Sequence, residues 1–250
     1  MRVALFVPCY IDQLYPDVGL ASLEVLERLG CDIWLPEAVS CCGQPLINTG
    51  LVAAAAPLAR GIQSILEDCD VLVCPSGSCT ATLKTHAARY GLSSAPFAGR
   101  IFELSEFLLP RWQPEGLKLS FPHRVALHQS CHGLRELGLG SMSELVVPEA
   151  EQRQSPARQL LAKVPDLTLV ELTRSDECCG FGGSFCVGEA EVSAAMGQSR
   201  IADFEAAGAD IVTSVDMSCL MHLSGLLRRQ ERPLQVMHLA QILAGRTPSA

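Results

Sequence analysis

The chain carries little charge and no long apolar run. Only 18% of its 250 residues are Asp, Glu, Lys or Arg. No apolar stretch reaches the roughly 18 residues that a membrane-spanning helix needs. Lys and Arg form no cluster or stripe, and the formal net charge is −8, which argues against a nucleic-acid or anionic-membrane partner. The Gly-x-Ser-x-Gly elbow, the phosphate-binding P-loop and the His-Glu-x-x-His zinc helix are all missing. So is any Cys-x-x-Cys pair, which removes the usual mark of a thiol–disulfide oxidoreductase. The 48% hydrophobic content is still enough for a substantial core and excludes a disordered or fibrous chain. Residues 1–8 hold one basic residue and then a short β-rich run, so a first strand is expected there and not an export signal.

What is plentiful is cysteine, with 12 residues. Without an export signal the expected compartment is the reducing cytoplasm, where thiols ligate metal or do redox chemistry and seldom form structural disulfides. The triplet Cys-Cys-Gly occurs twice, at Cys41-Cys42-Gly43 and Cys178-Cys179-Gly180. Neighbouring Cα atoms sit about 3.8 Å apart, short of the roughly 4.4–6.8 Å that a relaxed disulfide spans. Adjacent cysteines are therefore poor partners for each other. Both can reach one metal centre from a tight turn, and the following glycine can take positive φ and let the backbone come close.

The second half repeats the first. Arg2-Val3-Ala4-Leu5 leading to Cys9 matches Arg124-Val125-Ala126-Leu127 leading to Cys131. Asp70-Val71-Leu72-Val73 matches Asp210-Ile211-Val212-Thr213, and the same alignment pairs Cys79 with Cys219. Repeats this long are duplicated domains, not solenoid units. They divide the chain into residues 1–120 and 121–250, with a boundary near 114–123 where Pro, Gly and polar residues gather.

Each half alternates strands and helices. Strands are expected at 3–7, 32–35 and 71–73, and again at 125–127, 167–172 and 211–213. Helices are expected from Pro16 through Leu29 with Gly30 just past the end, over 51–66 with an interruption or restart near Pro57, and beyond Cys79 through Leu83 and His86. Further helices are expected after Pro156, over 189–206 and over 221–228. The stretches 101–109 and 236–244 resemble each other and are read as helical. The expected fold is α/β: two pseudo-symmetric repeats, each a parallel sheet flanked by helices. The cysteines then fall at the carboxyl ends of the strands, the usual ligand edge of open α/β sheets.

The candidate ligands of the first half are Cys9, Cys41, Cys42, Cys74 and Cys79. Those of the second are Cys131, Cys178, Cys179 and Cys219. Ser214 stands where the repeat would place a counterpart of Cys74, which leaves one thiol missing, and Cys186 is a candidate substitute. Convergent thiolates hold iron–sulfur clusters or zinc. In the run Gly180–Phe185, glycine N–H groups are expected to point at anionic sulfur. Cys69 reads as core. His128 and His132, on either side of Cys131, read as polar or surface residues beside the site.

This pattern resembles the cysteine-rich CCG domain family, which includes the B subunit of heterodisulfide reductase and the iron–sulfur subunit of glycolate oxidase. The two-repeat form without a ferredoxin-like segment is similar to the family's lactate-utilization branch. The resemblance implies an iron–sulfur cluster, specifically a non-cubane four-iron, four-sulfur centre, held in the first half by the five named cysteines. Zinc is the alternative. The implied role is that of an electron-transfer component of an L-lactate dehydrogenase (oxidoreductase) complex yielding pyruvate. Its partners would be a ferredoxin-type iron–sulfur protein and a third lactate-utilization subunit. Arg135 is the nearest candidate for a lactate carboxylate. Two departures stand out: the downstream pair here is Cys-x-x-x-x-Cys, and the second half is one thiolate short.

Overall fold

The computed structural model describes the chain apart from residues 38–40, 90–94, 114–118, 146–147, 149–151 and 249–250. For residues 86–89 and 95–96 only the backbone is described, so the His86 side chain lies outside the described residues, as does the 114–118 part of the expected boundary. The strands are β1 (Arg2–Leu5), β2 (Asp32–Trp34), β3 (Val71–Cys74), β4 (Ile101–Glu103), β5 (Arg124–Leu127), β6 (Thr168–Leu169), β7 (Ile211–Ser214) and β8 (Gln235–His238). The helices are α1 (Cys9–Leu14), α2 (Pro16–Arg28), α3 (Gln44–Asn48), α4 (Val52–Glu67), α5 (Gly77–Arg89) and α6 (Ala95–Ala98). They continue as α7 (Leu104–Leu108), α8 (Pro156–Leu161), α9 (Phe185–Gly188), α10 (Ala190–Ala206), α11 (Met217–Arg229) and α12 (Leu239–Ala244). A π-helical turn, His132–Glu136, follows Cys131.

Two parallel four-stranded sheets result, ordered β2-β1-β3-β4 and β6-β5-β7-β8. The central strands are continuous apolar runs because both faces are covered: Val3, Ala4 and Leu5, like Val125 and Ala126, are buried. In each sheet the chain leaves its first strand to one side for the second and to the other for the third. Loops diverge where that order reverses, and this opens a crevice at the carboxyl edge. The cysteine loops leave from that point.

The helices expected over 101–109 and 236–244 begin instead as the edge strands β4 and β8. Glu103 and His238 each end a strand and start a helix with no turn between. The Glu103 carboxyl accepts from Ser105 N–H at 2.8 Å, and Glu106 accepts from Glu103 N–H at 3.3 Å. His238 Nδ1 accepts from Ala240 N–H at 3.1 Å, and Gln241 accepts from His238 N–H at 2.8 Å. These are reciprocal capping boxes. The interruption expected near Pro57 is absent, for α4 runs through it. The 167–172 strand shrinks to two residues.

The two sheets share one core. Val3, Leu5 and Leu26 cluster with Phe107, Val125, Leu161 and Ile242. The last helix, α12, packs on α2 of the first half. Arg28 donates to the carbonyls of Leu243 and Ala244 at 3.3 and 2.9 Å, which occupies acceptors left free at the end of α12.

Candidate metal centres

In the first half the five candidate thiols form one connected group. Cys9 follows β1, Cys41 and Cys42 follow β2, Cys74 ends β3 and Cys79 lies beyond it. The sulfurs of Cys42 and Cys79 lie 3.2 Å apart, too far for a disulfide bond of about 2.05 Å and close enough to share a guest. Cys9 interacts with Cys41, Cys41 with Cys42, and Cys79 with Cys74. No disulfide bond joins the twelve cysteines, all of which lie among the described residues.

The second half builds the same group from Cys131, Cys178, Cys179 and Cys219. Cys131 interacts with Cys178, Cys178 with Cys179, and Cys179 with Cys219. The two Cys-Cys-Gly turns match closely. Gly43 and Gly180 have φ of 85° and 88°, and their N–H groups donate to the sulfurs of Cys41 and Cys178 at 3.3 and 3.4 Å. At Gly180 a Cβ would meet the Ser193 carbonyl oxygen at 2.6 Å and Met196 Cβ at 2.7 Å. Glycine is needed there for both conformation and space.

Burial and mutual repulsion work against negative charge on these sulfurs. Contact with Cys41, then burial, raises the Cys9 thiol. Contacts with Cys41 and Cys79, then burial, raise Cys42. Cys131 is raised by Cys178 and by burial, and Cys179 by Cys178, Cys219 and burial. Cys178 is the exception: hydrogen bonds from Cys131 and Cys179 hold it well below the usual thiol range. Metal-free, each group thus tolerates few thiolates. A bound cation reverses that balance and deprotonates coordinating thiols outright. The donor set therefore fits a thiophilic metal or cluster.

The two groups lie on segments that dock together. Ser76 and Asp216, just beyond β3 and β7, form an antiparallel bridge between the halves, and Gly77 N–H donates to the Val215 carbonyl at 3.2 Å. Asp216 is fully buried. It accepts from Ser78 N–H at 2.7 Å, Ser218 Oγ at 2.8 Å and Tyr10 Oη at 3.1 Å. Ser214 is buried too, and its hydroxyl accepts from Asp216 N–H at 3.3 Å, so it is a structural hydroxyl beside the second group. Gln44 reaches across to His132, their Nε2 atoms 2.9 Å apart.

Other expectations resolve locally. The thiol of Cys186 donates to the Gly183 carbonyl at 3.0 Å. Gly182 and Gly183, at φ of 54° and 63°, shape the tight turn into α9; the N–H groups of this run that meet sulfur are those of Gly180, on Cys178, and Phe181, on Cys179. Cys69 is buried, as expected for a core residue. Arg135 is engaged by Glu144 and by the Asp176 carbonyl, so it does not present a free guanidinium. The residue that sequence reasoning undervalued is His128. It is buried, and one of its ring nitrogens lies within 4.8 Å of the sulfurs of Cys179 and Cys219. Its spacing from Cys131, just past the end of β5, was the available clue.

The family model for the CCG cysteine-rich domain matches residues 3–84 and 125–224. Lactate utilization protein A of Geobacillus thermodenitrificans is 37% identical over 249 residues, covering 97% of this chain and 98% of its own. The protein of the same name from Bacillus subtilis is 33% identical over 252 residues, covering 98% of this chain and all of its own. Among solved structures, a hypothetical protein from Helicobacter pylori superposes with a TM-score of 0.54 at 14% identity. That match covers 97% of this chain and 48% of the larger one, and it speaks to fold alone.

Proposed function

This chain belongs to the cysteine-rich CCG domain family, and from that premise we propose that it is the iron–sulfur redox subunit of a system that oxidises L-lactate to pyruvate. The observation that carries the reading is the gathering of remote cysteines into one thiol group per half. Near full-length kinship to proteins named for lactate utilization supplies the pathway.

Cys9, Cys41, Cys42, Cys74 and Cys79 would hold the first centre, and Cys131, Cys178, Cys179 and Cys219 the second. Iron–sulfur centres supply storage and transfer of single electrons. The protein's own part is to set the potential and exclude water. Gly43 and Gly180 aim N–H groups at sulfur, and hydrogen bonds of this kind are a main lever on potential. Burial of Cys42, Cys74, Cys79, Cys179 and Cys219 removes solvent. With Ser214 in place of a fifth thiol, the second site would offer a bound centre one sulfur donor fewer, and substrate chemistry at a metal would need such an open position. With Arg135 engaged, lactate oxidation is assigned to the assembly with a ferredoxin-type iron–sulfur protein and a third subunit.

One observation favours a second reading. His128, Cys179 and Cys219 form a compact, buried nitrogen–sulfur set, which suits zinc in a non-redox scaffold. Anaerobic iron, sulfide and zinc quantification on wild type beside Cys42→Ser and Cys179→Ser separates the two. We expect iron and sulfide in the wild type and a substantial loss in each variant. Zinc without sulfide would establish the scaffold, and unchanged iron in both variants would refute the ligand assignment.

A further inference from the structure

Arg200, on α10, is completely buried. Its Nη1 is paired with Asp203 at 2.8 Å, and the guanidinium also donates to the carbonyls of Arg174 and Ser175. That leaves Nε, which points at Nδ1 of His128 at 3.4 Å. A guanidinium only donates and does not lose its proton in proteins. Nδ1 must therefore offer its lone pair, and the ring proton belongs on Nε2. Nε2 is buried and meets no partner among the described residues, and a ring nitrogen of His128 lies within 4.8 Å of the sulfurs of Cys179 and Cys219.

We infer that His128 is not a metal ligand: it is a positioning residue that Arg200 locks as an Nε2–H donor toward the sulfurs of the second centre. A ligating imidazole needs a lone pair at the metal and a proton on its other nitrogen, normally given to a carboxylate or carbonyl. Here the other nitrogen faces a fixed donor, so ligation through Nε2 would set two N–H groups against each other. Donation satisfies every group instead. It answers the orphaned Nε2, keeps the Arg200 bond, and adds to the Gly180 N–H already on Cys178. Donors to sulfur favour the more negative, reduced form of a centre, so His128 raises the potential of the second site. The first site has no equivalent, because the residue three positions ahead of Cys9 is Phe6 and four ahead is Leu5.

This inference rests on the second thiol group binding metal, and its test separates the two ideas. The first arm uses full-length, metal-free chain with 15N-labelled histidine under reductant, with two-bond proton–nitrogen correlation reading the ring tautomer and His128→Gln assigning the signal. A neutral ring protonated at Nε2 is expected, and protonation at Nδ1 overturns the inference without touching the iron–sulfur reading. Zinc is then added as a diamagnetic probe. Retention of the Nε2 proton is expected, and its loss would make His128 a ligand. The second arm uses the anaerobically reconstituted chain. His128→Leu should keep the wild-type iron and sulfide content and lower the midpoint potential of one centre. His128→Gln, which retains an N–H, should recover part of the shift. Loss of iron in His128→Leu, or strongly coupled histidine nitrogen in pulsed EPR of the wild type, would overturn it. A wild type that takes up no iron refutes the proposed function and leaves the metal-free tautomer as the deciding result here.

Discussion

The phenol of Tyr10 donates to Oδ1 of Asp216 at 3.1 Å, so a residue of the first helix meets a carboxylate 206 positions later. Burial, and then the nearby Asp216, push the phenol well above its ordinary pKa, so it remains a neutral donor across the working pH range. Asp216 lies between the two thiol groups and caps α11 through Ser218. The halves are thus held by a buried carboxylate with donors from both. Tyr10→Phe removes one donor to a charged acceptor, and we expect a loss of about 1.5–3 kcal/mol of stability in urea unfolding. A change under about 0.5 kcal/mol, typical of ordinary surface substitutions, would mean that the serine and backbone donors satisfy Asp216 unaided.

The Cys-Cys-Gly glycines give a sharper contrast. Alanine at position 43 or 180 must adopt positive φ, a penalty of about 1–2 kcal/mol. At position 180 it also meets Ser193 and Met196 inside contact distance. Gly180→Ala should be the more destabilising in thermal unfolding, and both variants should bind less iron because the turn that presents adjacent sulfurs is displaced. Equal stability of Gly180→Ala and wild type would show that α10 can move aside.

Much of this arrangement was readable in the chain. Parallel α/β sheets place whatever follows a strand at one edge, so cysteines after three successive strands had to approach one another. The edge strands were hidden because strands of three and four residues, with two apolar residues each, run straight into a capped helix, and neither period has room to show. The two-residue β6 is likewise too short for a pattern. His128 and Arg200 were hidden for another reason. Their pairing joins positions 72 residues apart, and an arginine in a helix reads as solvent-facing until Arg200 is seen on the buried face of α10 with Gly197, Ile201 and Phe204. Pro57 misled because a lost backbone donor near a helix start is tolerated when the rest of the helix packs, as α4 does through Ile62, Ile65 and Leu66.

Glu103 and His238 occupy matching strand-to-helix positions and respond oppositely to pH. Burial lifts the Glu103 carboxyl from 4.5 to about 8, and burial lowers His238 from 6.5 to about 4. Glu103 is protonated in the native state over a range where the unfolded chain is ionised. Its contribution is complete below pH 4.5 and is lost as pH rises to about 8. His238 stays neutral in the native state, so its contribution is complete above 6.5 and is lost as pH falls to about 4. Between 6.5 and 8 the Glu103 slope, at most about 1.4 kcal/mol per pH unit, runs against that of Cys178, whose thiol is held low in the metal-free native state so that stability rises with pH until the unfolded thiol ionises. In the metal-free chain under reductant, Glu103→Gln should therefore make the stability slope across that window more positive than in wild type, by at most about 1.4 kcal/mol per pH unit. An unchanged slope in the variant would place the titrating group elsewhere.

Two ion pairs set buried against exposed charge. The side chains of Arg200 and Asp203 are 0% and 4% exposed, whereas Glu171, the partner of Arg158, is 76% exposed. Removing one member of a buried pair strands the other, at about 3–5 kcal/mol, while an exposed pair contributes about 0–1 kcal/mol. Asp203→Ala should therefore be severely destabilising in urea unfolding and Glu171→Ala nearly silent. The carbonyls of Arg174 and Ser175 remain as acceptors for Arg200 in the first variant, which holds the loss toward the lower end of the range. Salt distinguishes the cases further. Raising ionic strength screens exposed charges and barely touches buried ones, so the small effect of Glu171→Ala should vanish in high salt while that of Asp203→Ala persists. If the two variants behaved alike, Arg200 would have to be reaching water in solution, and its hold on the His128 ring would go with it.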